Sequence, residues 1–344
     1  MTTEVSNTAA MRKVLCSLGM FIIDEFEYRD ADNNLLEHQK APQVGGGGTY
    51  AAIGARTFLP ARDIGMIVDK GPDFPEDILK QLLSYGEEMW FFREQETGQT
   101  TRALNKYVGE HRGFEYLTHR IRITPKDLEW STSNFCKPSH LHFICSPSRA
   151  AEILGEVGEI DQWNPVTIYE PIPDRCVFEE LPTLKRILPA ISVLSPNAEE
   201  ALSLLGANKD VSLESVEWAC REFLAFGVGK DGEGSIVIRS GSLGACIANR
   251  SQPIRWVDAF WQQDNIDKIA DVTGAGNAFL GGLSAGLHFT KDIYEAAFYA
   301  SVAASFAIEQ FGLPRLHGGK WNGDDPRKRL EELHARHRAL NDSK

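Results

Sequence analysis

Residues 14–19 form a short apolar run with no polar alternation, the pattern of a strand buried on both faces of a parallel sheet. Similar runs return at 64–68, 141–145, 166–170 and 191–194, with helical segments between them such as the amphipathic stretch 75–85. Repeated alternation of strand and helix predicts a mostly parallel sheet joined by right-handed crossovers, an α/β fold. Two stretches break this alternation. Residues 27–43 are polar with a turn signal at 30–34, and residues 91–123 are rich in β-prone types, so both predict short strands of a separate kind. Residues 294–310 predict a long helix whose Ala300, Ala303, Ala304 and Ala307 permit close packing. The segment 324–344, dense in charge with apolar residues at helical spacing, predicts a surface helix without catalytic function.

Composition narrows the function classes. A chain of 344 residues with 42% hydrophobic content supports one large α/β domain or two ordinary ones. A formal net charge of −12 argues against a surface that collects nucleic-acid phosphates or anionic lipid, because that affinity comes from clustered Lys and Arg. Residues 1–10 are polar, and no apolar stretch reaches about 18 residues, so a cytoplasmic protein without membrane spans is expected. The cysteines, Cys136 among them, are scattered with no paired spacing, which fits reduced thiols. The sequons at Asn249 and at Asn341 to Ser343 carry no weight without a secretory signal.

Candidate chemistry concentrates in two glycine loops. Thr273-Gly274-Ala275-Gly276 is too rich in small residues for helix or strand, yet the chain continues from Ala278 as an apolar segment with helical spacing. A loop feeding a helix N-terminus presents unpaired amides and the positive end of the helix dipole, a seat for a phosphate or an oxyanion. Val44 and the four glycines Gly45 to Gly48 make a second loop, which runs into an Ala-rich helix carrying Tyr50. Asp24 ends an apolar run, where an open α/β sheet places substrate contacts. Ser195, Asn197, Glu199 and Glu200 suit the first turn of a helix. Gly229 and Gly232 precede a strand in a loop that is not a Walker A loop, since Lys230 is followed by Asp231 and no helix begins there. His140 and His142 share a strand face but have no third metal ligand nearby in the pattern.

The run Asp271-Val272-Thr273-Gly274-Ala275-Gly276-Asn277-Ala278-Phe279 resembles the signature of the ribokinase-like (PfkB) carbohydrate and nucleoside kinases, normally Asp-Thr-Thr-Gly-Ala-Gly-Asp-x-Phe, and is most similar to a fungal branch of them. The resemblance implies a three-layer sandwich over residues 13–318, with a mostly parallel central sheet, a small β lid from segments at about 25–44 and 94–124, and the tail helix at 319–344. It implies transfer of the γ-phosphoryl group of ATP, with Mg2+, to a hydroxyl of a small sugar or nucleoside. Asp24, Gly45, Gly46 and Tyr50 would face that substrate, and the loop residues Gly274, Ala275 and Gly276 would stabilise the transferring group. Asn197, Thr273, Gly229 and Gly232 would lie beside the nucleotide, and Glu200, of the family's Asn-x-x-Glu motif, would order the metal. Related lids form dimer contacts, which leaves a homodimer open.

Two positions depart from that pattern. Tyr50 stands where the family has Asn, which suggests a substrate other than a plain pentose or a site partly filled by protein. Asn277 stands where the family's last acid takes the proton from the acceptor hydroxyl. An amide is essentially non-basic, and general-base assistance is worth about 10²–10⁴ in rate. Phosphoryl transfer depends mostly on positioning and electrostatics, so slow turnover with Asn277 is physically allowed. Asp271 and Asp24 are the substitute bases in reach of the sequence pattern, and restoring an acid at 277 is expected to raise transfer if the amide alone limits it. The alternative is a catalytically silent relative that binds nucleotide or metabolite and works through protein partners.

Overall fold

A computed structural model describes residues 13–30, 34–36, 40–108, 111–129 and 137–342. Part of the turn expected at 30–34 lies outside the described residues, as do the polar start 1–12, Cys136 and Ser343. In chain order the elements that matter are β1 (Leu15–Ser17), β2 (Ile22–Arg29), β3 (Gln43–Gly45), α1 (Gly47–Arg56), β4 (Ile64–Lys70), α2 (Glu76–Leu83), β5 (Trp90–Glu94), β6 (Arg102–Val108), β7 (His111–Tyr116), β8 (His140–Cys145), α3 (Pro147–Glu159), β9 (Val166–Pro171), α4 (Leu181–Ile187), β10 (Val193–Leu194), α5 (Ala198–Leu204), α6 (Leu213–Phe226), β11 (Ser235–Arg239), β12 (Ala245–Asn249), β13 (Arg255–Val257), α7 (Ala275–Thr290), α8 (Ile293–Ala307) and α9 (Pro326–Asp342).

The apolar runs pair into one sheet of order β13-β12-β11-β10-β9-β8-β1-β4-β5. Pairing is parallel from β5 to β11 and antiparallel from β11 to β13. Burial on both faces explains why these strands lack alternation: Leu15, Cys16, Ile67, Leu141 and Ile168 are all fully or almost fully buried. One apolar layer packs α1, α7 and α8 on one face of the sheet, and the other packs α3 to α6 on the opposite face. The chain order reverses at β1, which lies between β8 and β4. Open sheets of this kind bind ligands at the carboxyl ends of the strands beside such a point.

The lid is a separate sheet of order β3-β2-β6-β7. It starts earlier than the expected residue 25, because Ile22, Ile23 and Asp24 already pair with Gly45, Val44 and Gln43. Residues 91–94, expected in the β-prone lid region, belong instead to β5 at the edge of the main sheet, where Phe91 and Phe92 pair with Ile67 and Val68. Phe91 and Phe92 pack there against the apolar layers of the main sheet.

Helix α7 is positioned by backbone contact with α1. A Cβ at Gly281 would run into the carbonyl oxygen of Ala51, and one at Gly54 into the carbonyl oxygen of Ala278. Two helices this close need glycine at the crossing. Gly281→Ala should therefore destabilise the fold by about 1–3 kcal/mol through overpacking. Gly155→Ala, exposed in α3 with open space around it, should stabilise by about 0.5–1 kcal/mol. Urea unfolding of the two variants, with unchanged m, checks the pair.

Candidate active site

Gly274 caps α7 in the left-handed region at φ 76°, without a side-chain cap. An L-residue there would be strained, and it would also strike the ring of Tyr50, which lies directly against Gly274. The Ala275 N–H turns back to the Val272 carbonyl at 3.2 Å, and the Thr273 N–H donates to Asp271 Oδ1 at 2.9 Å. The open end of the helix is thus carried by the amides of Gly276 and Asn277.

The residues expected to face an acceptor gather beside this turn. Asp24 is buried in β2 with its carboxylate against Gly45, so closely that any side chain at 45 would displace it. Gly46 caps α1 at φ 90°. Tyr50 is 2% exposed, and burial, with the carboxylates of Asp271 and Asp24 nearby, pushes its phenol well above the ordinary range. The phenol is therefore a neutral hydrogen-bonding group that covers Gly274. Of the two acids expected as substitute bases, Asp271 accepts from the Thr273 N–H of its own loop.

Asn277 is instead tied to a buried ionic chain that the motif does not contain. Its Nδ2 donates to Glu170 Oε2 at 2.7 Å. Glu170 Oε1 pairs with Arg239 Nη1 at 2.6 Å, and Arg239 Nη2 lies 3.5 Å from Glu200 Oε2 and donates to the Ser195 carbonyl at 3.1 Å. On the other side, His142 Nε2 lies 3.4 Å from Glu170 Oε2 and its Nδ1 is 2.9 Å from Ser17 Oγ. Burial pushes the Glu170 carboxyl up, but Arg239, His142 and Asn277 outweigh it and hold it below the ordinary range. Glu200 goes the other way: burial raises it against the opposing pull of Arg239 and the Asn197 amide. A carboxylate only accepts hydrogen bonds, so Glu170 fixes which end of the Asn277 amide faces it.

Beyond Arg239 a cleft of about 940 Å3 opens along the first turn of α7. Gly276, Asn197 and Arg239 line its polar end, and Leu243, Ile266, Val272 and Ile308 line the apolar remainder. The Arg239 Nε in this wall is buried without a hydrogen-bond partner. Asn197 and Glu200 face each other in a reciprocal capping box, Asn197 N–H to Glu200 Oε2 and Glu200 N–H to Asn197 Oδ1, both at 2.7 Å.

Gly229 and Gly232 do not join this assembly. They precede the first residue of β11, beside Arg250, whereas Arg239 at the far end of the strand faces α7. The turn that lines the cleft is Gly241 to Gly244, between β11 and β12. It has the same glycine spacing, and only the strand's direction distinguishes the two. Glu170 and Arg239 were also missed, although each is a charged residue ending an apolar strand, the same signal that singled out Asp24.

The tail helix α9 is more than a surface element. Arg329 is 4% exposed; it donates to Ser305 Oγ at 2.9 Å and Glu309 Oε1 at 2.6 Å, and its guanidinium lies over the rings of Phe306, Trp261 and Phe260. Phe260, Trp261 and Ser305 are cleft residues, so α9 braces one wall.

Residues 94–315 match the pfkB family of carbohydrate kinases. Protein MAK32 of Saccharomyces cerevisiae is 32% identical over 346 aligned residues, covering 94% of this chain and 92% of its own. The chain belongs to the pfkB family. Its fold matches a putative ribokinase II from E. coli solved in complex with ATP and Mg2+, with TM-score 0.64, 16% identity and coverage of 94% of this chain and 100% of that one. It also matches Arabidopsis thaliana ribokinase complexed with ribose and ATP, with TM-score 0.66, 16% identity and coverage of 94% and 98%. At such identities the likeness establishes the ribokinase-like fold, with its nine-stranded central sheet and small lid sheet.

The Glu170–Arg239 pair gives this pfkB site a pH signature. A carboxyl held below its ordinary value near 4.5 contributes stability that is present above that value and is lost as pH falls through the lowered folded-state value. Glu170→Gln should therefore flatten the acid limb of a stability–pH profile measured by urea unfolding. Arg239→Met, which strands a buried carboxylate, should cost about 3–5 kcal/mol at neutral pH.

Proposed function

We propose that the chain binds ATP in the cleft beside α7 and transfers its γ-phosphoryl group slowly to a hydroxyl of a small sugar or nucleoside. One observation carries this reading: the cleft, large enough for a nucleotide, runs from an apolar wall to the Gly276 amide and the Arg239 guanidinium. ATP bound there supplies the phosphoryl group. The amides of Gly276 and Asn277 stabilise negative charge on it, Asp24 holds acceptor hydroxyls, and Asn277 orients the reacting one without taking its proton. Asp24 is itself a residue of lid strand β2, so the lid sheet forms part of the acceptor side.

ATP fits the donor set, since apolar surface and anion-binding groups occur in the right order along one cleft. Direct ligation of magnesium does not fit. The Glu200 carboxylate already takes the Asn197 amide and lies 3.5 Å from Arg239, and Glu170 takes Arg239 and Asn277. Among the described residues no group of three His, Cys, Asp or Glu side chains forms a cage. Glu200 would act on a metal only through water, and no step here is routed through one.

A second reading, a silent relative that binds nucleotide and acts through partners, is favoured by Tyr50, whose ring covers Gly274 where the acceptor and the anion loop meet.

Calorimetry with ATP tests the binding. Wild type should bind, and Gly276→Asp, which sets a carboxylate on the anion seat, should weaken binding at least about tenfold, or 1.4 kcal/mol. Equal affinity of the two proteins rejects the site. Phosphate transfer to a panel of sugars and nucleosides then separates the readings: slow turnover supports the kinase, and binding with no turnover the silent relative.

A further inference from the structure

The acid lost from position 277 has a counterpart behind it. Asn277, half-buried, meets the buried Glu170 at Oε2, 2.7 Å away, where Glu170 is 4% exposed. An aspartate at 277 would point an oxygen at that same atom. Two carboxylates at such a distance cannot both ionise, and one keeps a proton to a higher pH than either would alone.

We infer that Glu170 is a positioning residue that dictates the amide at 277, and that an aspartate at 277 can serve as proton acceptor only when residue 170 is neutral. This inference rests on the phosphotransfer reading for its catalytic part, and on geometry alone for its electrostatic part. It replaces the simpler expectation that Asn277→Asp by itself restores a base.

The groups facing the pair pull in two directions: Arg239 and His142 favour an ionised Glu170, and a second carboxylate opposes it. Arg239 of β11 binds the far oxygen Oε1, and His142 of β8 the near oxygen Oε2. Cys176, buried and pushed up by that burial, and Glu200 of α5 add no positive charge. Arg239 is the one guanidinium paired with Glu170 among the described residues, and it is shared with Glu200. It keeps Glu170 ionised and cannot neutralise a third carboxylate as well. Asn277 is the arrangement that satisfies Glu170 without adding charge, since its amide N–H donates where an acid would repel.

In the transfer, a bond forms between the acceptor oxygen and the γ-phosphorus, and the bond from that phosphorus to the bridging oxygen breaks with its electron pair leaving on ADP. The acceptor proton needs a base. In the double variant Glu170→Gln/Asn277→Asp the carboxamide of residue 170 donates to the new carboxylate, which stays ionised and receives that proton. In Asn277→Asp alone, the carboxylate pair already holds a proton between them.

The test is a cycle of four proteins: wild type, Glu170→Gln, Asn277→Asp and the double variant. Carbon-detected NMR titration of the aspartate carboxyls reads the pair without reference to activity, and thermal unfolding against pH reads it by linkage. Expected is a raised carboxyl in Asn277→Asp, with stability present at low pH and lost as pH rises through the raised value, and an ordinary carboxyl in the double variant. Transfer from ATP should rise about 10²–10⁴-fold in the double variant and little in Asn277→Asp at neutral pH. An ordinary titration of the introduced carboxyl in the single variant, or an equal gain in rate in both, overturns the inference. A raised titration in the single variant with no transfer in any of the four proteins sustains the electrostatic coupling and defeats the kinase reading instead.

Discussion

Arg239 stands between Glu170 and Glu200, and the functional end of the molecule is arranged around that contact. A guanidinium with 11% of its side chain exposed has to be paired, because an unpaired buried charge costs several kcal/mol. Its partners come from β9 and α5, and its tip lies against Gly276 at the start of α7. One side chain therefore sets the spacing between the strand ends and the anion loop. The glycine at 276 is required for the same reason, since a Cβ there would collide with Arg239. A buried ion pair is weak evidence for stability in itself, and its value here is register: it holds the strand ends and the helix N-terminus at a fixed distance on either side of the cleft.

That arrangement was legible in the sequence only where it is local. The loop feeding α7 could be read because the small residues and the apolar helix that follows them are contiguous, and the capping pair Asn197 and Glu200 because it spans one turn. The parallel sheet could be read because burial on both faces removes polar alternation from each strand separately. Glu170, Arg239 and His142 belong to three different strands, and their meeting depends on the order in which those strands lie in the sheet. The β9-β10-β11 order brings Glu170 and Arg239 together at one end of the sheet. The two Gly-x-x-Gly turns mark the same boundary of legibility. Spacing finds both, and strand direction selects Gly241 to Gly244. The tail misled for a further reason: a helix dense in charge looks solvated, and nothing local shows that Arg329 is buried under aromatic rings.

The two departures from the family pattern, Tyr50 and Asn277, fall on the same side of the anion loop. Tyr50 covers Gly274 with a neutral phenol, and Asn277 presents an amide tied from behind by Glu170. At neutral pH neither a neutral phenol nor an amide is a base. Neither touches the apolar part of the cleft, where α8, the Gly241 to Gly244 turn and the α9-braced aromatic rings lie. On the proposed reading, affinity for a nucleotide and speed of transfer would rest on different residues. Binding that is equal in ground and transition states does nothing for the chemical step, so a cleft can be kept intact while turnover falls. Such a separation would let the glycine signature stand beside an amide at 277. On that reading its backbone amides would serve a phosphate whether or not an acceptor is deprotonated, and only the side chain at 277 would bear on the proton.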